Sequence, residues 1–286
     1  MGEHMRIGLS VLFAALAWLL GVNGAAFGFG IGIQPTTVEI ELEPGEQRRQ
    51  VITLGNVHQE RTISLTIGLA DWALTEDGQI SLTAPGEKER SGAEWVRFSP
   101  AFVTLEPGQS QQIVVDMAAP IRLPSAGDHR FALLASTILP DERNAGSGVW
   151  RRYQLASLFY LTVGDAESLP EITSTGLVTN DVGETLVGVR VENPGNAHAR
   201  LNGAVEIETR SGETVSEPIG NLVVLDQSAR NYQVPLAVPL DDTLSISVKL
   251  ENTFAPQFAN QFEALEPAVV ALPGPGGTGA GAPLPE

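Results

Sequence analysis

The chain has 286 residues, 34 of them acidic and 17 basic, for a formal net charge of −17. No Lys/Arg stripe is present that could neutralise a phosphate backbone, which excludes nucleic acid as a partner. With no cysteine, disulfides, thiol nucleophiles and Cys-ligated metals are excluded as well, and the domains must hold together by core burial alone.

In chain order, the first element is a targeting signal. Arg6, the uncharged apolar run IGLSVLFAALAWLLGV and the small residues around Gly24–Ala26 predict a secretory signal peptide over residues 1–26. Its removal leaves an exported, soluble protein without a membrane span, in the periplasm or farther out at the cell surface or in the extracellular medium.

Residues 27–165 then read almost entirely as strands. VEIEL (Val38–Leu42) and TISLTIGL (Thr62–Leu69) alternate apolar and polar side chains, the period of a strand with one buried face. Further runs follow at Trp95–Phe98, Gln112–Met117, Arg130–Leu139 and Tyr153–Val163, and TEDGQ at Thr75–Gln79 carries the Asp-Gly pair of a hairpin. Trp72, Trp95, Phe98 and Phe131 are the aromatic candidates for the core of this unit.

After the short segment Gly164–Ser168 the pattern resumes over residues 166–255. Its strands are Leu186–Asn193, Gly203–Thr209, Asn221–Leu225, Asn231–Val238 and Leu244–Asn252. This second part is the more acidic: 5 basic and 16 acidic residues in Ala166–Glu286, against 11 and 17 in Phe27–Asp165. Residues 256–286 read as a C-terminal tail, largely disordered from about Pro273, where PGPGGTGAGAPLPE has too few apolar side chains to offset the entropy of ordering. Short strands at this spacing, with turn residues between them and no helical period, predict an all-β chain of two immunoglobulin-like antiparallel β-sandwiches in tandem.

One corner occurs twice, as LEPGEQRRQVI at Leu42–Ile52 and LEPGQSQQIVV at Leu105–Val115. Proline fixes φ at the first central position of a turn, and glycine accepts the positive φ of a type II turn at the next. The repeat predicts two topologically similar places where one strand ends and another starts in a different sheet or direction.

Catalytic chemistry has no motif to rest on. His58, His129 and His198 stand in or beside predicted turns with no metal-ligand spacing, and no nucleophile elbow, P-loop or dinucleotide fingerprint occurs. Glu206 and Glu208 share a strand face, but as an exposed acidic surface. No enzyme activity, metal or small-molecule cofactor is expected.

EWVRFSPAFVTLEPGQSQQIVVDMAAP, LPSAGDHRFALLASTILP and RRYQLASLFYLTV together resemble the N-terminal domain of the periplasmic pilus-assembly chaperones. The matching residues include Pro100, Leu105–Gly108, Leu123, Pro124, Asp128, Arg130, Ile138, Pro140 and Leu158–Tyr160. The resemblance covers about Gly30–Val163 and is only architectural beyond. It implies two immunoglobulin-like domains set at an angle, and a protein subunit as client. The client would be bound by lending it the last strand of the first domain, with a basic pair in the cleft holding its C-terminal carboxylate.

Alignment on that family places Ser157 and Thr37 where the cleft lysine and arginine stand, and Trp150 and Arg152 where the lent strand carries aliphatic residues. The candidate partner-binding residues are therefore Trp150, Arg152, Gln154, Ser157 and Thr37. Adjacent arginines on a strand face opposite ways, so at most one of Arg151 and Arg152 can serve a given groove; the alternative is that they are solvated charges guarding a strand edge. Two functional classes follow: a chaperone-like protein that binds secreted or pilus-like subunits by edge pairing, and a non-catalytic structural or adhesive component of a surface assembly.

Overall fold

The computed structural model describes residues 30–138, 152–254 and 263–272. The expected signal peptide, the loop before Arg152 with Trp150, and the tail from Pro273 lie outside these residues.

The described chain forms two tandem β-sandwiches. In the first, one sheet has the order β1 (Ile31–Gln34), β3 (Gln47–Asn56), β8 (Ser110–Ala118), β6 (Val96–Ser99). The facing sheet has the order β2 (Thr37–Leu42), β10 (Arg152–Val163), β9 (Gly127–Ile138), β4 (Ile63–Leu74), β5 (Ile80–Thr83), with β7 (Phe102–Leu105) also on β4. All pairings are antiparallel except β2 with β10, which run parallel from Thr37↔Leu158 to Leu42↔Val163. The sheets close on a core that includes Ile52, Leu54, Leu65, Ile113, Phe131, Phe159 and Leu161, all fully buried. Each such side chain contributes about 1.5–3 kcal/mol by leaving water.

The repeated corner proves to be a sheet-crossing device. At both places the glycine has positive φ, +83° at Gly45 and +74° at Gly108, and the turn closes with Glu46 N–H donating to Glu43 C=O and Gln109 N–H to Glu106 C=O. Positive φ at the third residue with this bond marks a type II turn. Each corner takes the chain out of the β10 sheet, from β2 to β3 and from β7 to β8, and the two arriving strands then pair with each other, Val51 opposite Val114.

In the second sandwich, β11 (Glu171–Thr179), β12 (Thr185–Asn193) and β15 (Ser228–Pro235) face a sheet of β14 (Thr214–Val224), β13 (Ala199–Thr209), β16 (Thr243–Asn252) and the short β17 (Glu263–Ala264) and β18 (Ala268–Val269). Here the tail expected from residue 256 needs correction. Residues 263–272 pair along β16, and Leu265 and Val270 are buried in the second core. The strand is broken into two-residue pieces around Glu266 and Pro267, too short for any alternation to show in sequence.

Trp72 also differs from expectation. It is 1% exposed, yet it is not in the sandwich core. On β4 the core-facing positions are Ile63, Leu65 and Ile67, so period two turns Trp72 to the outer face. There it is covered by Leu225 of the second sandwich, together with Ala132 and Tyr160.

Candidate partner-binding edge

Strand β10 carries most of the predicted site. Its odd-numbered residues Tyr153, Leu155, Phe159 and Leu161 pack into or against the first core, so the even-numbered ones project from the outer face of the sheet. Arg152 and Gln154 are exposed on that outer face, and Gln154 Nε2 donates to Ser136 Oγ at 3.0 Å on the neighbouring strand. Leu158 and Tyr160 follow on the same face, against the second sandwich.

The register of β2 decides which main-chain groups are free. Pairing with β2 begins only at Leu158, whose N–H donates to Thr36 C=O at 2.9 Å. Alternate residues of a strand turn their N–H and C=O to the same side. Ala156, Gln154 and Arg152 therefore point theirs past the end of β2, where no described strand pairs with β10. Among the described residues the half-strand Arg152–Ala156 is an open edge, held extended by β9 on its other side.

Ser157 and Thr37 are close in register but lie on different faces of the sheet. Thr37 lies opposite Leu158 and is exposed on the outer face. Ser157, one residue earlier on β10, turns inward, is completely buried and donates its hydroxyl to Pro35 C=O at 2.7 Å. The two positions thus face opposite sides of one sheet. A shallow groove of about 670 Å3 lies at the β1–β2 crossing, lined by Ile33, Pro35, Thr37, Val51 and Thr53.

Beyond Leu158 the same face becomes the joint between sandwiches, a set of contacts that the sequence did not announce. Asp128, fully buried at the start of β9, accepts from His198 Nδ1 at 2.6 Å, from His198 N–H at 2.7 Å and from Thr162 Oγ1 at 2.7 Å. Asp128 N–H donates to Asn196 C=O, and Gly127 beside it has φ +100° and no room for a side chain, since a Cβ there would sit 2.2 Å from that same carbonyl oxygen. His198 is sandwiched between the rings of Tyr160 (4.3 Å) and Phe254 (3.9 Å). Glu39 on β2 pairs with Arg200, Asp226 pairs with Arg90 and Arg130, and Glu76 pairs with Arg190.

These neighbours set the ionisation states. Burial alone would raise the carboxyls of Asp128 and Glu39, but His198 overrides it at both, with Thr162 at Asp128 and Arg200 at Glu39, and both are held below their usual range. Burial alone would lower His198, and Asp128 with Glu39 raises it instead. Glu39 Oε1 is 3.8 Å from His198 Nε2, too far for a direct hydrogen bond, so its effect is charge attraction. Burial pushes the Tyr160 phenol up to about 12.

Among the described residues no group of three or more His, Cys, Asp or Glu is placed to hold a metal, and no helix is long and apolar enough to cross a membrane.

No protein-family model matches the chain, and no curated protein matches it. Among solved structures it is similar in fold to the YadV chaperone, at 13% identity over 84% of this chain and 99% of that one, with a TM-score of 0.45. It is likewise similar to the class 5 fimbriae chaperone CfaA, at 12% identity over 84% of this chain and 99% of that one, TM-score 0.43. A third is the CsuC–CsuE chaperone–tip adhesion subunit pre-assembly complex from the Csu pili of Acinetobacter baumannii, at 13% identity over 84% and 97%, TM-score 0.42.

Proposed function

We propose that the protein is a periplasmic chaperone-like binding protein that assists assembly of secreted or pilus-like subunits, pairing a client strand with the open edge of β10. The observation that carries the proposal is that edge: outward main-chain groups at Arg152, Gln154 and Ala156, pre-extended by β9 and continuous with a strand anchored in the core. An edge already held straight requires little further ordering when a client strand adds to it. The motif-level resemblance over Gly30–Val163 supports the same reading.

Recognition then rests on main-chain hydrogen bonds more than on a charge clamp. Ser157 is turned into the core and Thr37 is uncharged, so neither supplies a cation for a client carboxylate. Arg200, which lies 5.6 Å over the Tyr160 ring, is already paired with Glu39 and Asn221. Removing the client's C-terminal carboxylate should therefore change affinity little.

A second reading, a structural or adhesive component with a guarded edge, is favoured by one feature: the exposed side chains on the free half-strand are Arg152 and Gln154 rather than aliphatics. A pull-down with the full mature chain separates the two. Capture of a subunit peptide should be lost in Gln154→Pro, which deletes an outward N–H, and weakened in Trp150→Ala, while an amidated peptide binds as well as the free acid. Unchanged capture by both variants would favour the structural role. Strong dependence on the carboxylate would point to Arg152 as a clamp.

A further inference from the structure

We propose that protonated His198 is a pH-sensitive latch holding the two sandwiches in one fixed orientation, and that loss of its proton loosens the joint. The inference concerns the joint and does not depend on the identity of any client.

The imidazole is fully buried at the joint and belongs to the second sandwich, while the acids that face it come from two strands of the first: Asp128 at the head of β9 and Glu39 on β2. Tyr160 from β10 covers one ring face. His198 directly precedes β13, and among the described residues the charged neighbour that β13 places here is Arg200, which is paired with Glu39. A charge so enclosed persists only because partners surround it, and removing one side leaves the other uncompensated.

Deprotonation changes two contacts at once. Neutral imidazole can still donate from Nδ1 to Asp128, but Nε2 then presents a lone pair toward Glu39, and the two carboxylates lose the positive charge between them. The pairs of Asp226 with Arg90 and Arg130, and the apolar contact of Trp72 with Leu225, remain. The joint should therefore widen its range of orientations without coming apart.

The sign follows from the shifts. His198 lies above its ordinary value of 6.5, so its contribution is complete below pH 6.5 and is lost as pH rises through the higher folded value. Glu39 and Asp128 lie below their ordinary values of 4.5 and 3.8, so theirs is complete above pH 4.5 and is lost as pH falls through the folded values.

A cysteine-free chain makes the test direct. Gln111→Cys and Ser216→Cys, both at exposed positions, place one spin label on each sandwich of the full chain. Pulsed EPR should give a narrow distance distribution at about pH 6 and a broader one at about pH 9, a range that brackets imidazole titration. In parallel, the protection factor of the His198 amide, corrected for intrinsic exchange, should be lower at about pH 9 than at about pH 6. His198→Gln should give the broad distribution at both pH values. Should that variant fail to fold, Glu39→Gln keeps the buried pair and should move the transition to lower pH by removing one carboxylate that raises His198. Distances and protection unchanged across the range, whether or not the imidazole resonance titrates, would overturn the latch, as would a transition that Glu39→Gln leaves in place.

Discussion

Between Leu158 and Val163, strand β10 is paired on both sides and covered on both faces, with Phe159 and Leu161 in the first core and Tyr160 against the second sandwich. Between Arg152 and Ala156 it is paired, among the described residues, on one side only, and Arg152 and Gln154 are exposed. One strand thus joins an anchor to an offered edge. The difference arises because β2 ends its pairing at Thr37, six residues short of the start of β10. The buried half fixes register for the free half, since a slip by one residue would move Phe159 and Leu161 out of the core.

The contrast can be tested most severely at Phe159, which stacks on Phe131 at 4.3 Å and is completely buried. Phe159→Ala should cost about 3–5 kcal/mol in chemical denaturation, whereas Arg152→Ala should stay within about 0.5 kcal/mol. Near-equal values would mean that the two halves of β10 are not energetically distinct.

A sharper probe uses proline at adjacent positions. Leu155 turns its N–H toward β9, so Leu155→Pro should destabilise by about 3 kcal/mol or more; Gln154 turns its N–H outward, so Gln154→Pro should cost about 1 kcal/mol or less. Thermal or urea unfolding of the pair reads the difference directly. If Gln154→Pro proves the more damaging of the two, the edge has been assigned to the wrong side of the strand.

A finer test falls at the boundary between the halves. Ser157→Ala removes the hydroxyl donor to Pro35 C=O, and a loss of about 1 kcal/mol is expected because that acceptor loses a buried partner. A change in client capture much larger than this stability loss would show that Ser157 serves binding after all.

Much of the first sandwich was legible in the chain. The alternation of Thr62–Leu69 is that of β4, the Asp-Gly pair closes the β4–β5 hairpin with Gly78 N–H donating to Thr75 C=O, and both corners form as their Pro-Gly pairs require. Arg152 and Gln154 are exposed at positions where no described strand pairs on the far side of β10. Ser157 and Thr37 were matched by alignment to a cleft pair, but residues that are adjacent in register by an odd offset cannot share a sheet face.

The amino-acid sequence by itself determined the all-β class, the strand periods and the repeated turn, because each depends on side chains within a few residues of one another. Only the tertiary structure decided that Trp72 would be buried by a neighbouring sandwich and that residues 263–272 would complete the second core. It alone paired Asp128 with His198, 70 residues away, rather than with adjacent His129, whose Nε2 instead bonds to Ser125 C=O. Local patterning says which face of a strand is apolar; what comes to lie against that face is set by packing between segments distant in the chain, and leaves no period to read.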